Sequence, residues 1–251
     1  MFAVRGLPGR GSERRPGLVR RLAFRHTSEP SVRPILRLLC SLTLLTAACR
    51  SPGAAGAPSP DPAPPVRPFA GLVAQQVIVA PTHSMRESDP MGWTRQVPRS
   101  RELMRALDEA IRHELGERGI THQWTFPADL ARAARTNPAY GQDPYALGAG
   151  NLRSGDFPAG TSVGSPLIMQ LRTMVALQEN ARAVLLPVEL RFERDSVPNH
   201  GVAVLRLALI DGRLGEVKWM GDVRSDPSPT FTREALLSSV AAHLADLIAA
   251  P

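Results

Sequence analysis

Apolar and polar positions recur with two different periods along residues 69–251, and the periods distinguish strands from helices. A spacing of two residues is typical of strands, and a spacing of three to four residues is typical of amphipathic helices. Runs rich in branched apolar side chains predict strands at residues 75–81, 121–126, 182–192, 202–210 and 214–223. Helices are predicted at residues 100–118, 127–135 and 167–179, and again after residue 230 or 232.

The first helix has the most regular pattern. Its apolar face consists of residues that repeat every four positions, which are Leu103, Leu107, Ile111 and Leu115. Ser100 is placed to cap this helix and Gly119 to end it. Later in the chain, Asp211 and Gly212 are typical of a hairpin between the last two strands, with a connection that extends as far as Gly215.

The order of these elements is β-α-β-α, a loop, then α-β-β-β-α, which predicts an α/β (α+β) fold. We expect a single mixed sheet of about five strands with three to four helices packed on it. Residues 136–166 contain six glycines and four prolines without a period. A loop of this length inside a compact domain is either a functional excursion or a poorly ordered insertion.

The positive charge of the chain belongs to its N-terminal part. The whole sequence has a net charge of +7, and residues 1–48, with nine arginines and two glutamates, contribute all of it. Residues 49–251 therefore have no net charge, which does not favour nucleic acid as a partner. Residues 38–48 form an uncharged, mostly apolar run behind a basic flank and end in small residues. This layout predicts a signal peptide over residues 1–48. Because the part before the apolar run is long, either the true start of translation lies further along, near Val32, or the basic region of the signal peptide is long.

The end of that run, Leu45-Thr46-Ala47-Ala48-Cys49, resembles a bacterial lipobox. The resemblance implies cleavage between Ala48 and Cys49 and lipidation of Cys49. The alternatives are an ordinary signal peptide cut after Ala48 and a short buried helix. Cys40, the other cysteine, would leave with the leader. Arg50 and Ser51 differ from the aspartate that retains many such lipoproteins in the inner membrane, so the periplasmic face of the outer membrane is favoured.

Residues 49–68 are predicted to be a tether. Seven prolines and an almost complete lack of large apolar side chains leave nothing to bury and favour an extended chain. The globular α/β domain is expected at residues 69–251.

The C-terminal half resembles a pattern found in small periplasmic lipoprotein domains. After residues 181–187 and a strand, a second strand ends at Asp211, a turn leads to Gly215 and Glu216, and the next strand contains Trp219. The pattern is similar to that of the curli-secretion channel lipoprotein, the lipoprotein activators of penicillin-binding proteins and the amino-terminal domain of the Tol-system translocation protein. It implies a βαβ-type core that serves as an interaction or assembly module, and it brings no catalytic residue. We find no segment that alternates like a membrane-spanning hairpin, so a pore is not expected.

One short motif points to hydrolysis. Residues 160–164, with Ser162 at the centre, satisfy G-x-S-x-G, and Asp211 or Asp222 together with His243 would complete a triad. The motif follows a polar loop interrupted by proline, whereas a nucleophile elbow requires a hydrophobic strand before the serine. A loop turn is therefore the favoured interpretation.

Other polar residues give weaker indications. The histidines of the domain, which are His83, His113, His122, His200 and His243, show no metal-binding spacing, and we expect no metal and no cofactor. Two carboxylate pairs could act in acid–base chemistry, but local ion pairing is the commoner role; they are Glu114 with Glu117 and Glu189 with Glu193.

Three aromatic residues in predicted loops are candidates for contact with a partner. They are Trp93, after the first strand, and Tyr140 and Tyr145, in the long loop. For Trp93 the alternative is packing against the domain, and Trp219 is expected to pack on the sheet.

Together these patterns predict a non-catalytic lipoprotein that is attached to the membrane through Cys49 and binds another envelope protein. The alternatives are a periplasmic serine hydrolase that uses Ser162 and a carrier of small apolar ligands. The oligomeric state is left open.

Overall fold

A single mixed β-sheet with helices on both faces forms the protein, as the computed structural model shows for residues 68–138, 141–178 and 181–250. The predicted α+β class is therefore confirmed. The strands are β1 (Val77–Val79), β2 (Ser84–Met85), β3 (Trp124–Thr125), β4 (Ala183–Arg194), β5 (Gly201–Asp211) and β6 (Glu216–Arg224). The helices are α1 (Ser100–Glu117), α2 (Pro127–Thr136), α3 (Leu167–Ala176) and α4 (Arg233–Ala249).

The strands follow the order β3-β1-β4-β5-β6 across the sheet. Strand β1 is parallel to both neighbours, β3 and β4, whereas β5 and β6 continue the sheet as antiparallel hairpins. The two-residue strand β2 also pairs in parallel with β4, further along that strand. Residues 77–85 thus run beside β4 twice, and Thr82 and His83 lie at the interruption between the two pairings.

Apolar side chains form a core on each face of the sheet. Helices α1 and α4 cover one face, where Leu107, Ile111 and Leu244 have no exposed surface. Helix α3, residues from α2 and part of the 136–166 segment cover the other face, where Leu152 and Leu171 are equally buried. Strands β4 and β5 are therefore buried on both sides along most of their length, which explains their nearly continuous apolar sequences.

The described residues of the 136–166 segment pack as a cover on the second core. The segment contains two 3₁₀ helices, Pro144–Ala146 and Gly150–Arg153, and it buries Leu147, Leu152 and Val163. Its backbone also hydrogen-bonds the start of β6, from Gly160 N to Val217 O (2.8 Å). The described residues of this segment are therefore part of the packed domain.

The connection between β5 and β6 depends on Gly215. Its φ is +73°, and a side chain at this position would overlap Ile168 of α3. The Gly215 amide donates to the Asp211 carbonyl (2.7 Å), so the turn includes Gly215. This agrees with the predicted connection that extends as far as Gly215.

One strand was missed and one predicted helix cap was wrong. Strand β2 was not expected, and Ser100 is the first residue of α1 instead of its cap; no side chain caps that helix. Within the described ranges, no helix combines the length and apolarity needed to cross a membrane. The predicted leader, Cys40, Ala48, Cys49 and nearly all of the tether lie outside the described residues.

Candidate functional site

An open cleft of about 500 Å³ lies between α1, the β1–β2 connection and the 3₁₀ helix Pro144–Ala146. Thr82 and His83, which follow strand β1, line it, and the carboxyl ends of parallel strands are a common place for ligand sites in sheets flanked by helices. The residues that line it are mostly polar; they are Thr82, His83, Arg101, Met104, Arg105, Asp108, Asp143, Tyr145 and Ala146. We call this feature the α1 cleft.

Asp108 is the buried acceptor of the α1 cleft. Its side chain lies on the inner side of α1 and the residue is only 6% exposed. The Oδ1 atom accepts hydrogen bonds from the Thr82 amide (2.8 Å) and the Thr82 hydroxyl (2.7 Å). The Oδ2 atom has no hydrogen-bond partner among the described residues, yet it is not sealed from solvent. One oxygen is therefore held in place while the other can accept a hydrogen bond from a ligand.

Burial raises the pKa of Asp108 to about 6, although the two hydrogen bonds from Thr82 act in the opposite direction. Thr82 is itself buried, so its hydroxyl positions the carboxylate and is not presented to a substrate.

Two arginines and a tyrosine surround the mouth of the α1 cleft. Arg101 and Arg105 are exposed, and no carboxylate among the described residues lies within ion-pair distance of either guanidinium. The Arg105 guanidinium lies over the Tyr145 ring, 5.7 Å from its centre. Tyr145 is 44% exposed and is held by Asp143, whose side chain accepts a hydrogen bond from the Tyr145 amide (3.0 Å).

His83 contributes a neutral group at neutral pH. Partial burial lowers the pKa of its imidazole, and the nearby positive charge of Arg153 lowers it further. The backbone fixes its position, because the His83 amide donates to the Pro187 carbonyl of β4 (2.9 Å). The α1 cleft thus offers two cations, one buried acceptor and an aromatic ring, a combination that suits binding of a ligand with both negative and hydrogen-bond-donating groups.

Asp108 also predicts a dependence of stability on pH. Because its folded-state pKa lies above the ordinary value of 3.8, the native state binds the extra proton, and its stability falls as the pH rises from about 4 to above 6. The full effect of a shift of this size is about 3 kcal/mol. Replacement Asp108→Asn should remove the decline. Urea unfolding of both proteins at several pH values between 4 and 7.5 measures the difference.

The wild-type protein and Asp108→Asn must be compared because the lowered pKa of His83 has the opposite effect on stability as the pH rises. Arg105, Glu109 and Tyr145 also lie near Asp108. These groups and His83 are present in both the wild-type protein and Asp108→Asn. The difference between the two plots of unfolding free energy against pH therefore isolates the contribution of Asp108. If the unfolding free energies of the two proteins change in parallel between pH 4 and 7.5, the burial assigned to the Asp108 carboxylate is contradicted.

The structure does not assemble the serine triad considered from the sequence. Ser162 lies beside the start of β6 in the segment that covers one face of the sheet, and His243 lies on α4 at the other face. His243 Nδ1 is 2.6 Å from the Arg224 carbonyl. Asp211 accepts hydrogen bonds from its own turn and from Arg182, and Asp222 is paired with Arg191. Each triad candidate therefore has other partners.

Three of the four carboxylates in the predicted pairs, all except Glu117, form ion pairs among the described residues. Glu114 contacts Arg118 (2.8 Å), and Glu189 contacts Arg86 (2.6 Å). Glu193 is shared between Arg191 (2.6 Å) and Arg224. No group of three or more metal-ligating side chains occurs among the described residues.

The aromatic candidates have different positions. Of the two interpretations of Trp93, the structure has packing against the domain and not an exposed contact: the residue is 3% exposed, and its ring packs edge-on against Phe192, with 5.8 Å between ring centres. Trp219 packs on Phe69 at the sheet surface, as expected (4.8 Å). Tyr145 is exposed and lies at the α1 cleft, and Tyr140 lies outside the described residues.

Sequence reasoning did not select Asp108, Arg101, Arg105 or His83. A signal was present, because Asp108 follows Leu107 on the apolar side of the helical pattern, where an unpaired carboxylate is unusual. The partner Thr82 comes from a distant segment and leaves no local pattern.

Fold and site together define an α+β domain with an open polar cleft at the end of its first strand. No protein-family model and no curated protein matches this chain. Among solved structures, the chain is similar to a PelC dodecamer from Paraburkholderia phytofirmans, with 16% identity and a TM-score of 0.31 over 70% of this chain and 88% of that one. A similarity this distant supports no argument about function.

Proposed function

We propose that this protein is a lipid-anchored lipoprotein of the bacterial cell envelope that binds another envelope protein, without catalysis, through the α1 cleft. The sequence around Cys49 supports the anchor, and the proline-rich tether would hold the domain away from the membrane. The outer membrane, facing the periplasm, remains the favoured location.

The observation that supports the binding role is the composition of the α1 cleft. An exposed tyrosine and two arginines without ion pairs among the described residues surround the largely buried carboxylate of Asp108, whose Oδ2 has no partner there. Tyrosine and arginine are enriched among the residues that contribute most to protein interfaces. The same lining does not favour a carrier of apolar ligands, which needs an enclosed apolar pocket.

A photo-crosslinking amino acid placed at Ala146, in the wall of the α1 cleft, tests this proposal in living cells. We expect one covalent adduct whose partner is an envelope protein, identified by mass spectrometry and then reproduced with the purified partner. Val197 is a matched control, because it is exposed and belongs to the β4–β5 connection outside the cleft.

The adduct should come from Ala146 and not from Val197, and Arg105→Ala should reduce it. Equal adducts from both positions, or none from Ala146 in folded, membrane-attached protein, would contradict the proposed function.

A further inference from the structure

We infer that the α1 cleft recognises an extended acidic peptide segment, with carboxylates at alternate positions that pair with Arg101 and Arg105 and a backbone N–H that donates to Asp108. The inference rests on the proposed function and specifies the chemistry of the partner.

The spacing of the two arginines fits that of alternate residues in a strand. Arg101 and Arg105 are four residues apart on α1, so they share a face and are separated by a rise of about 6 Å. Side chains two residues apart on an extended chain point the same way and are about 6.6 Å apart. Two carboxylates at alternate positions can therefore contact both guanidinium groups without bending the peptide. Guanidinium groups bind carboxylates through paired, charge-assisted hydrogen bonds.

The surface provides room for more than one residue of such a segment. A second open depression of about 470 Å³ surrounds the start of α1 and is lined by Pro98, Arg99, Ser100, Glu102 and the same two arginines. Arg101 and Arg105 thus connect two adjoining concave regions. No side chain caps α1, so the positive end of the helix dipole adds to the attraction for negative groups there.

Asp108 distinguishes a peptide from a surface that carries only negative charge. Its Oδ2 atom requires a hydrogen-bond donor, because the Thr82 amide and hydroxyl occupy only Oδ1. A peptide backbone supplies an N–H group next to the acidic side chains, whereas an ionised phosphodiester group has no hydrogen-bond donor of its own. The arrangement of cations at the mouth and an acceptor inside therefore favours an acidic protein segment over anionic lipid.

Fluorescence anisotropy of labelled peptides with the full-length lipoprotein in mild detergent tests the inference. The probe is Ser-Glu-Ser-Glu-Ser, and the matched controls are Ser-Gln-Ser-Gln-Ser and Ser-Ser-Glu-Glu-Ser. We expect the alternating glutamate peptide to bind about tenfold more tightly than either control, with an affinity that falls as salt rises.

Protein variants locate the binding. The double variant Arg101→Gln, Arg105→Gln should lose about tenfold in affinity, whereas Arg213→Gln, an exposed arginine in the β5–β6 turn, should lose none. A probe N-methylated at its central serine and the variant Asp108→Asn should each weaken binding. Their combination should weaken it no further, because both remove the same hydrogen bond.

Equal binding of the glutamate and glutamine peptides would overturn the inference. So would binding to vesicles that contain phosphatidylglycerol, if it required Arg101 and Arg105 while the peptides failed to bind. If the Ala146 adduct forms in cells but the peptides do not bind, the inference about an acidic segment is contradicted and the proposed function is not. Absence of that adduct contradicts the proposed function itself.

Discussion

Replacement of Phe192 by alanine is expected to lower the free energy of unfolding by about 3–5 kcal/mol. Phe192 is 2% exposed and lies in β4, beneath the layer formed by α1 and α4. Its ring contacts Trp93 and Phe231 edge-on, with 5.8 and 5.6 Å between ring centres. The substitution would leave a cavity beside the two remaining rings, Trp93 and Phe231, and remove the edge-to-face contacts that Phe192 makes with both. Urea unfolding followed by tryptophan fluorescence measures the loss.

Two variants make this test specific. Phe192→Leu keeps most of the volume and should cost clearly less than alanine. Val197→Ala, at an exposed position, should change the free energy of unfolding by no more than about 0.5 kcal/mol. A loss below about 1 kcal/mol for Phe192→Ala would show that the aromatic cluster is not a central part of the core.

Replacement of Cys49 by serine is expected to release the protein from the membrane fraction completely. A diacylglycerol group with a further acyl chain provides firm attachment, whereas the hydroxyl of serine cannot form the thioether on which it depends. Fractionation of cells, followed by mass spectrometry of the N-terminal peptide, measures both attachment and lipid.

Cys40→Ser is the matched control, because Cys40 lies inside the predicted leader and should be absent from the mature protein. It should leave the distribution unchanged. If the Cys49→Ser protein stays in the membrane fraction, the domain is attached by another route and the lipobox interpretation is wrong.

The regular elements of the fold could be predicted because their signals are local. Leu103, Leu107, Ile111 and Leu115 define one face of α1 by spacing alone, and α1 then buries that face on the sheet. The long strands β4 and β5 were equally evident as nearly continuous apolar runs.

Features that depend on distant residues were missed. Strand β2 has two residues and exists because β4 offers backbone partners more than a hundred positions later. Trp93 follows a glycine, and it is a core residue because distant residues, including Phe192 and Phe231, pack against its ring. The apolar residues of the 136–166 segment have no period, since each one contacts the sheet from an irregular backbone.

The candidate site was hidden for the same reason. Tyr145 could be proposed from its type and its loop, but Asp108 becomes notable only when Thr82 is seen to hold one oxygen and leave the other without a partner among the described residues. Arg101 and Arg105 resemble ordinary solvated helix residues until the opposite wall of the cleft is known.

The division of helices between the two faces of the sheet has a consequence for the timing of folding. Helix α4, the last element, covers the same face as α1, the first helix, whereas intermediate elements cover the other face. A chain that emerges from a ribosome or a translocation channel N-terminus first cannot shield the α1 side of its sheet until residues 233–249 have appeared. We therefore expect nascent chains truncated before α4 to aggregate or to recruit chaperones, since their apolar strand surface stays open to water.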